Sequence, residues 1–421
     1  MNGWRESLAA FGRIGLESFG GPAAQIAVMH RVAVEERKWV DDASFQAALG
    51  FCTLLPGPEA MQVATWLGWA RHGTLGALAA GLLFVLPGAV VMLALSAAWA
   101  VGGDVSWVTA AFAGLQAAVL AVVVEALVRL GRRALKRGVD RGIAVAAFLA
   151  LAAFGIPFPV IVLTAAVVGW VVGSPAKGGR EVPRPAVGGT LWTFGAGLIV
   201  WWLPYIPLRL ALGAEARAVE LFEFMSGAAV VTFGGAYAVL AHTATESVAR
   251  GWLLPNEMAV GLGLAETTPG PLILVLEFVA FQAGFRSDSG LGPWAGGTLG
   301  AAVALWATFA PCFVWILAGA PWISYARTVA AWNAAIAGIS AAVVGVVAHL
   351  GLWFLTHVWF SRTSAWTWGP LNAVVPDVSS WDLPATSVSV IACVALLRWH
   401  VPMIPLLAGG LVVGLLRGAI G

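Results

Sequence analysis

Apolar residues run along this chain in long blocks, at 75–100, 105–128, 142–172, 296–320 and 328–354, with polar residues gathered between them. Most of these blocks reach the roughly 20 residues that a helix needs to cross a bilayer. Within lipid a spanning segment must satisfy its own backbone, which a helix does. The pattern therefore predicts an all-α polytopic membrane protein. Several blocks do not read as single helices. Pro157-Phe158-Pro159 sits in the middle of 142–172, so that stretch reads as a hairpin of two short helices, and 396–405 suggests the same device near the C-terminus. The two apolar segments within 8–70 are each interrupted by Gly or Pro. A single broken span and a re-entrant hairpin both stay open for each of them.

The blocks also repeat. Phe19-Gly20-Gly21-Pro22 is followed by Trp39 and by Leu55-Pro56-Gly57-Pro58-Glu59; later, Phe233-Gly234-Gly235-Ala236 is followed by Trp252 and by Thr268-Pro269-Gly270-Pro271 at nearly the same spacing. Residues 112–119 parallel 336–343, and Pro87 has its counterpart in Pro311. A repeat of this length fixes the architecture as two homologous halves.

Charge at equivalent places separates the orientations of the halves. Arg129, Arg132, Arg133, Lys136, Arg137 and Arg141 cluster after the first copy's helix, where the second copy has Arg362 alone. Basic loops stay in the cytoplasm. The second-copy loop instead carries Trp353, Trp359, Trp366, Trp368 and Trp381 with Asp377 and Asp382, a composition suited to headgroup level on the far side. The halves are thus expected in inverted, antiparallel topology, with broken or re-entrant helices. Inversion needs an odd number of crossings between the copies, and 188–210, which has no counterpart in the first half, supplies one. The expected organisation is an N-terminal transmembrane repeat at 1–173 and a cytoplasmic linker at 174–187 holding Lys177, Arg180, Arg184 and three prolines. The extra connecting helix at 188–210 and an inverted C-terminal repeat at 211–421 follow. The Trp-rich insert at 356–384 reads as an external lid or a surface loop.

Composition agrees with a bilayer as solvent: 60% of the 421 residues are hydrophobic and 10% charged, where a soluble domain carries about a quarter charged. A net charge of +2 says little, because its distribution rather than its sum decides how such a chain sits in a membrane, and no nucleic-acid partner is suggested. No short apolar core with a cleavage site opens the chain, so the first helix is expected to stay. Cys52, Cys312 and Cys393 each stand alone in apolar surroundings, and no metal-ligand spacing links the six histidines, so neither metal nor cofactor is expected. His30, Arg31, Arg71 and His72 lie near segment ends, where charge reaches water. The absence of a GxxxxGK[ST] loop and a GxSxG elbow argues against nucleotide hydrolysis and acyl transfer, so no catalytic residues are assigned and a secondary carrier fits better than a pump or an enzyme.

Candidate chemistry lies at the helix breaks. Pro-Gly-Pro removes backbone donors and leaves carbonyls and amides unpaired, which is tolerable at membrane depth only inside protein or beside a wet cavity. Residues after each break, Glu59-Ala60-Met61-Gln62 and Leu272-Ile273-Leu274, would start half-helices whose amides and positive dipole end face an anion. Phe-Gly-Gly-Pro offers a further helix start at Ala23. Gly20, Gly21, Gly234 and Gly235 let a ligand, or equally a neighbouring helix, approach the backbone closely. Gln25, Gln62, Thr65, Thr267 and Thr268 are neutral hydrogen-bonding groups that suit tetrahedral oxygens or, alternatively, bond adjacent helices. Glu59 and Glu266 flank the breaks at a depth where charge is costly, and are the candidates for proton coupling, with helix capping as the plainer role. Glu17, Glu223 and Glu277 are secondary because none adjoins a Pro-Gly-Pro break.

At Phe19-Gly20-Gly21-Pro22, Leu54-Leu55-Pro56-Gly57-Pro58-Glu59-Ala60 and Gly261-Leu262-Gly263-Leu264-Ala265-Glu266-Thr267-Thr268-Pro269-Gly270-Pro271, the chain resembles the chromate ion transporter family, in its long two-domain form. The resemblance spans nearly the whole chain. It implies a bacterial inner-membrane protein that exports chromate on the proton motive force, with antiparallel homologous domains. The family's recurrent positions fall on Gly20, Gly21, Pro22, Pro56, Gly57, Pro58 and Glu59. In the second half they fall on Gly234, Gly235, Glu266, Thr267, Thr268, Pro269, Gly270 and Pro271. Sulfate, of like shape and charge, is the nearest rival substrate. A passive anion channel and a membrane-embedded enzyme stand further off, and a homodimer stays open.

Overall fold

The computed structural model describes residues 2–19, 21–53, 55–103, 105–172, 185–232, 236–288, 290–326, 330–368 and 371–420. Their helices run in order as α1 (Asn2–Glu17), α2 (Gly21–His30), α3 (Asp42–Cys52), α4 (Glu59–Gly102), α5 (Ser106–Ala134) and α6 (Gly138–Ala152). They continue with α7 (Phe158–Val172), α8 (Val187–Trp202), α9 (Tyr205–Leu212), α10 (Arg217–Val231), α11 (Ala236–Ala249) and α12 (Pro255–Thr267). The last are α13 (Val275–Phe285), α14 (Pro293–Gly319), α15 (Ile323–Ala326), α16 (Ala330–Trp359), α17 (Leu383–Trp399) and α18 (Met403–Ile420). Glu59–Gly102, Ser106–Ala134, Val187–Leu212, Pro293–Trp322 and Ala334–Trp359 are long and apolar enough to cross a membrane. The expected linker at 174–187 falls almost wholly outside the described residues.

Proline and polar caps set the boundaries. Asp41 accepts from the Ser44 amide at the start of α3, and Asp382 accepts from the Ala385 amide at the start of α17, each satisfying a donor that a first turn leaves over. The break at Pro157 separates α6 from α7, and His400, in the left-handed region, ends α17 before α18. Both expected hairpins are present. α4 is itself a hairpin: it turns at His72 and Gly73, so that a methyl on Gly68 would stand 2.1 Å from the Gly76 carbonyl oxygen. Its arms, 59–71 and 74–102, have their counterpart in α13 and α14, where Gly284 lies against the Gly296 carbonyl. Pro87 and Pro311 fall inside the long second arm of each pair.

Two compact units are built from both halves of the sequence. The first takes Met1–Ala97, Ser174–Val239 and Thr268–Asn333; the second takes Ala98–Gly173, Leu240–Thr267 and Ala334–Gly421. In the first, α14 packs on α13, α10 and α8. The Trp306 and Trp322 indoles anchor α8 by donating to the Trp201 carbonyl and the Thr190 hydroxyl, both at 2.8 Å. Every residue from Pro271 to Gly284 is buried, so α13 is the enclosed element of this unit. In the second, α5 packs on α17, α18 and α12. Gly114 of α5 meets the Gly410 carbonyl of α18, and Gly338 of α16 meets the Ala165 carbonyl of α7, each so closely that a methyl would stand at 2.1–2.2 Å. These are equivalent residues of the repeat, and each packs on the last helix of the other half. Small residues are what lets helices in lipid approach this closely.

The Trp-rich insert differs from a plain loop. Residues Thr363–Trp368 (β1) and Leu371–Pro376 (β2) pair antiparallel, from Thr363 opposite Pro376 to Trp368 opposite Leu371. Among the described residues the fold is therefore helical with one small β-hairpin. Thr, Trp and Val are residue types that favour the pleat, and Arg362 bridges Asp377 at 3.1 Å beside it.

Candidate functional site

Both Pro-Gly-Pro breaks lie in the first unit, and each is tied to a helix end of the other half. The Gly57 amide donates to the Thr232 carbonyl at 2.7 Å, just past α10, and the Gly270 amide donates to the Ser18 carbonyl at 2.8 Å, just past α1. Ser18 and Thr232 are themselves equivalent: each precedes its half's Phe-Gly-Gly. Their hydroxyls bond back to Ile14 and Ala228, one turn earlier, and their backbone carbonyls, past the last turn of each helix, have no intrahelical donor and so are open to the breaks. A buried amide with no acceptor costs about 1–3 kcal/mol, so these two bonds are what allow Gly57 and Gly270 to sit inside the protein.

Glycine is required at both centres by the backbone, with φ of +118° at Gly57 and +92° at Gly270. Space is short as well. A methyl on Gly57 would stand 2.8 Å from Cys312 Sγ, and one on Gly270 would stand 3.3 Å from the Phe84 carbonyl oxygen. Gly88, beside Pro87, is closer still: its methyl would stand 2.0 Å from the Pro269 carbonyl oxygen. Gly88 and Cys312 follow the paired prolines of the long arms, so each break packs on the same position of the other half's long arm.

Two buried amide side chains hold the break carbonyls. Gln62, on the first arm of α4, donates through Nε2 to the Pro56 carbonyl at 2.7 Å, and Gln25 of α2 donates through Nε2 to the Gly270 carbonyl at 2.6 Å. The Oε1 atom of each accepts no hydrogen bond from the protein. Gly21 opens α2 with φ +82°, and it is buried with no atom within 4 Å of where a methyl would stand.

The structure gathers Gly21, Pro22, Gln25, Pro56, Gly57, Pro58, Glu59, Gln62, Thr268, Pro269, Gly270 and Pro271 into this one unit. Glu59 is half-buried in the first turn of α4, and Thr65, one turn beyond Met61, bonds back to the Met61 carbonyl at 2.9 Å. Glu266 is buried near the end of α12, and Thr267 follows it, bonding the Leu264 carbonyl at 2.9 Å; both belong to the second unit. Gly20, Gly234 and Gly235 lie outside the described residues. Among those described, no group of His, Cys, Asp and Glu is arranged to hold a metal ion.

Sequence reasoning left two kinds of residue out. Ser18 and Thr232 matter through their carbonyls, which no side-chain pattern marks. Gly88 and Cys312 could have been found from the Pro87 and Pro311 pairing. Glu277, ranked behind the other carboxylates, is buried on α13 with neither oxygen hydrogen-bonded.

A family model described as Chromate transporter matches residues 5–170 and 219–415. The chain is 34% identical to a chromate transport protein of Pseudomonas aeruginosa over 355 residues, 80% of this chain and 78% of that one. It is 29% identical to a chromate transport protein of Cupriavidus metallidurans, over 82% of this chain and 80% of the relative. A probable chromate transport protein of Synechococcus elongatus is 28% identical over 80% of this chain and 81% of its own length. No solved structure matches the chain.

Proposed function

The chain belongs to the chromate transporter family, and from that premise we propose that it is a secondary carrier exporting chromate across a bacterial inner membrane, coupled to the proton gradient. The anion binds at the half-helix starts that follow the two Pro-Gly-Pro breaks. Amides in a first helical turn have no intrahelical acceptor, and each positive helix end stabilises an anion by about 0.3–1 kcal/mol, more when partly buried. Binding through several such ends and neutral amides avoids a fixed buried cation, which would hold a dianion too tightly to release.

One observation carries this reading: the reciprocal bonds from Gly57 to Thr232 and from Gly270 to Ser18, which bring the breaks of both halves to one unit. Reciprocal pairing is what a two-fold relation between repeats produces. With the basic cluster from Arg129 to Arg141 facing Arg362 alone at the equivalent place, it supports halves 1–173 and 211–421 inserted oppositely, joined by a cytoplasmic linker and the crossing at 188–210. Glu59 and Glu266 carry the coupled protons. A carboxylate beside an oxyanion is driven towards its neutral form by repulsion and desolvation, so proton uptake and anion release are linked.

Labelled chromate uptake into inverted vesicles tests this. Uptake should rise with an imposed proton gradient and vanish when the gradient is collapsed, and Glu59→Gln and Glu266→Gln should each abolish the dependence. Wild-type behaviour in both variants removes the glutamate assignment. Sulfate in excess should leave most chromate uptake intact; complete competition would make the carrier a general oxyanion transporter.

A further inference from the structure

Glu277 stands apart from every other carboxylate among the described residues. It lies on α13, six positions beyond Pro271, within the run from Pro271 to Gly284 that has no exposed residue. Its own exposure is 1%, and neither Oε1 nor Oε2 has a hydrogen-bond partner. An ionised carboxylate accepts several hydrogen bonds and does not persist in an apolar enclosure without them, whereas the neutral acid does.

Among the described residues, the surrounding elements bring no compensating cation. α14 carries no Asp, Glu, Lys, Arg or His, and Cys312 is its titratable group. On α10, Arg217 is paired with Glu220, and Glu223 accepts from the Tyr205 hydroxyl at 2.5 Å. Arg217 also lies towards the far end of α13: it lines a small pocket with Gly284 and Ser287, two turns beyond Glu277. On α4, Glu59, Arg71 and His72 sit at the arm ends. The stretch beside α13 runs from Gly88, against Leu274, to Ser96, whose carbonyl accepts from Gln282 at 2.8 Å, and holds no titratable residue.

We infer that Glu277 is a neutral carboxylic acid in this conformation and a proton-carrying residue of the transport cycle. It releases its proton to water only when the packing around α13 opens, and takes one up again before that packing closes. In this conformation the proton therefore holds the element that follows the second break closed. Loss of the O–H proton to water leaves a carboxylate that cannot return to the enclosure, so the closed and open states of α13 differ by one bound proton. This rests on the carrier reading above, and adds a third carboxylate to it.

The test uses purified protein in lipid vesicles. Infrared difference spectra of wild type minus Glu277→Gln should show the carbonyl stretch of a protonated carboxylic acid that persists well above the pH at which exposed carboxylates ionise. The glutamine variant is isosteric, uncharged and compatible with the enclosure. Its chromate exchange should lose the dependence on pH that one coupled proton gives, about tenfold per pH unit on the limiting side. Glu277→Asp should retain part of it. A wild-type spectrum lacking that band, or a Glu277→Gln carrier with undiminished pH dependence, overturns the inference. If wild type moves no chromate, the carrier reading fails, and the infrared band still decides the protonation of Glu277.

Discussion

At Gly57 and Gly270 a positive φ and a close neighbour act together, so single methyl groups test the breaks. Holding an L-residue in the left-handed region costs about 1–2 kcal/mol. Gly57→Ala adds a clash with Cys312 Sγ at 2.8 Å, while Gly270→Ala meets its nearest atoms at 3.3 Å. Both variants should melt earlier than wild type, Gly57→Ala the more so, with chromate uptake lost in both; equal melting of all three proteins would contradict the geometry. A second residue-scale effect is electrostatic. His30, at the polar end of α2, is held above its usual pKa first by the hydrogen bond to Asp42 and also by Glu35, at 2.8 and 3.1 Å. A raised folded-state pKa contributes stability that is fully present below the unfolded value and is lost as pH rises through the folded one. The melting difference between wild type and His30→Ala should therefore be largest below about pH 6.5 and fade as the pH rises through the raised folded value. A difference that grows with pH would contradict this. At this scale the prolines and glycines of the breaks were legible, because their backbone chemistry is written in residue type. Glu277 was not: one Glu in an apolar run looks the same whether it is capped, paired or enclosed.

Helices in both units meet through glycine, and the equivalent pair Gly114 and Gly338 offers a matched test. Each would place a new side chain about 2 Å from a carbonyl oxygen of the other half's last helix. Overpacking a close contact costs about 1–3 kcal/mol, so Gly114→Leu and Gly338→Leu should lower the melting temperature by similar amounts. Gly227, with open space around it, is the control at which leucine should cost little. A loss at Gly227 as large as at the pair would remove the case for interhelical contact. Elements of this kind were partly legible. Pro157 and the 396–405 stretch announced their hairpins through proline, and the two interrupted segments within 8–70, open between a broken span and a re-entrant hairpin, form α1, α2, α3 and the first arm of α4. The turn at His72 and Gly73 carries no proline, and the strands of the Trp-rich insert are short enough to pass for loop.

At the scale of the whole molecule, an apolar composition and a repeat were enough to anticipate a helical, multi-pass membrane protein, and the motifs at 19–22, 54–60 and 261–271 carried the resemblance to the chromate transporter family. The exchange of segments between halves was not legible, because it depends on contacts between residues some two hundred positions apart, such as Ser18 with Gly270. The reciprocal bonds that place both breaks in one unit are what a rotation relating the two copies would produce. The opposite insertion proposed above would supply such a rotation within a membrane, and it would also account for the basic loop at one end of the repeat and the Trp-rich insert at the other. The direct measurement is cysteine labelling of Arg133→Cys and Trp366→Cys in intact cells and in inverted vesicles, with a reagent that does not cross lipid. With the halves inserted oppositely, Arg133→Cys should label only in inverted vesicles and Trp366→Cys only in intact cells. Labelling of both positions from the same side would contradict it.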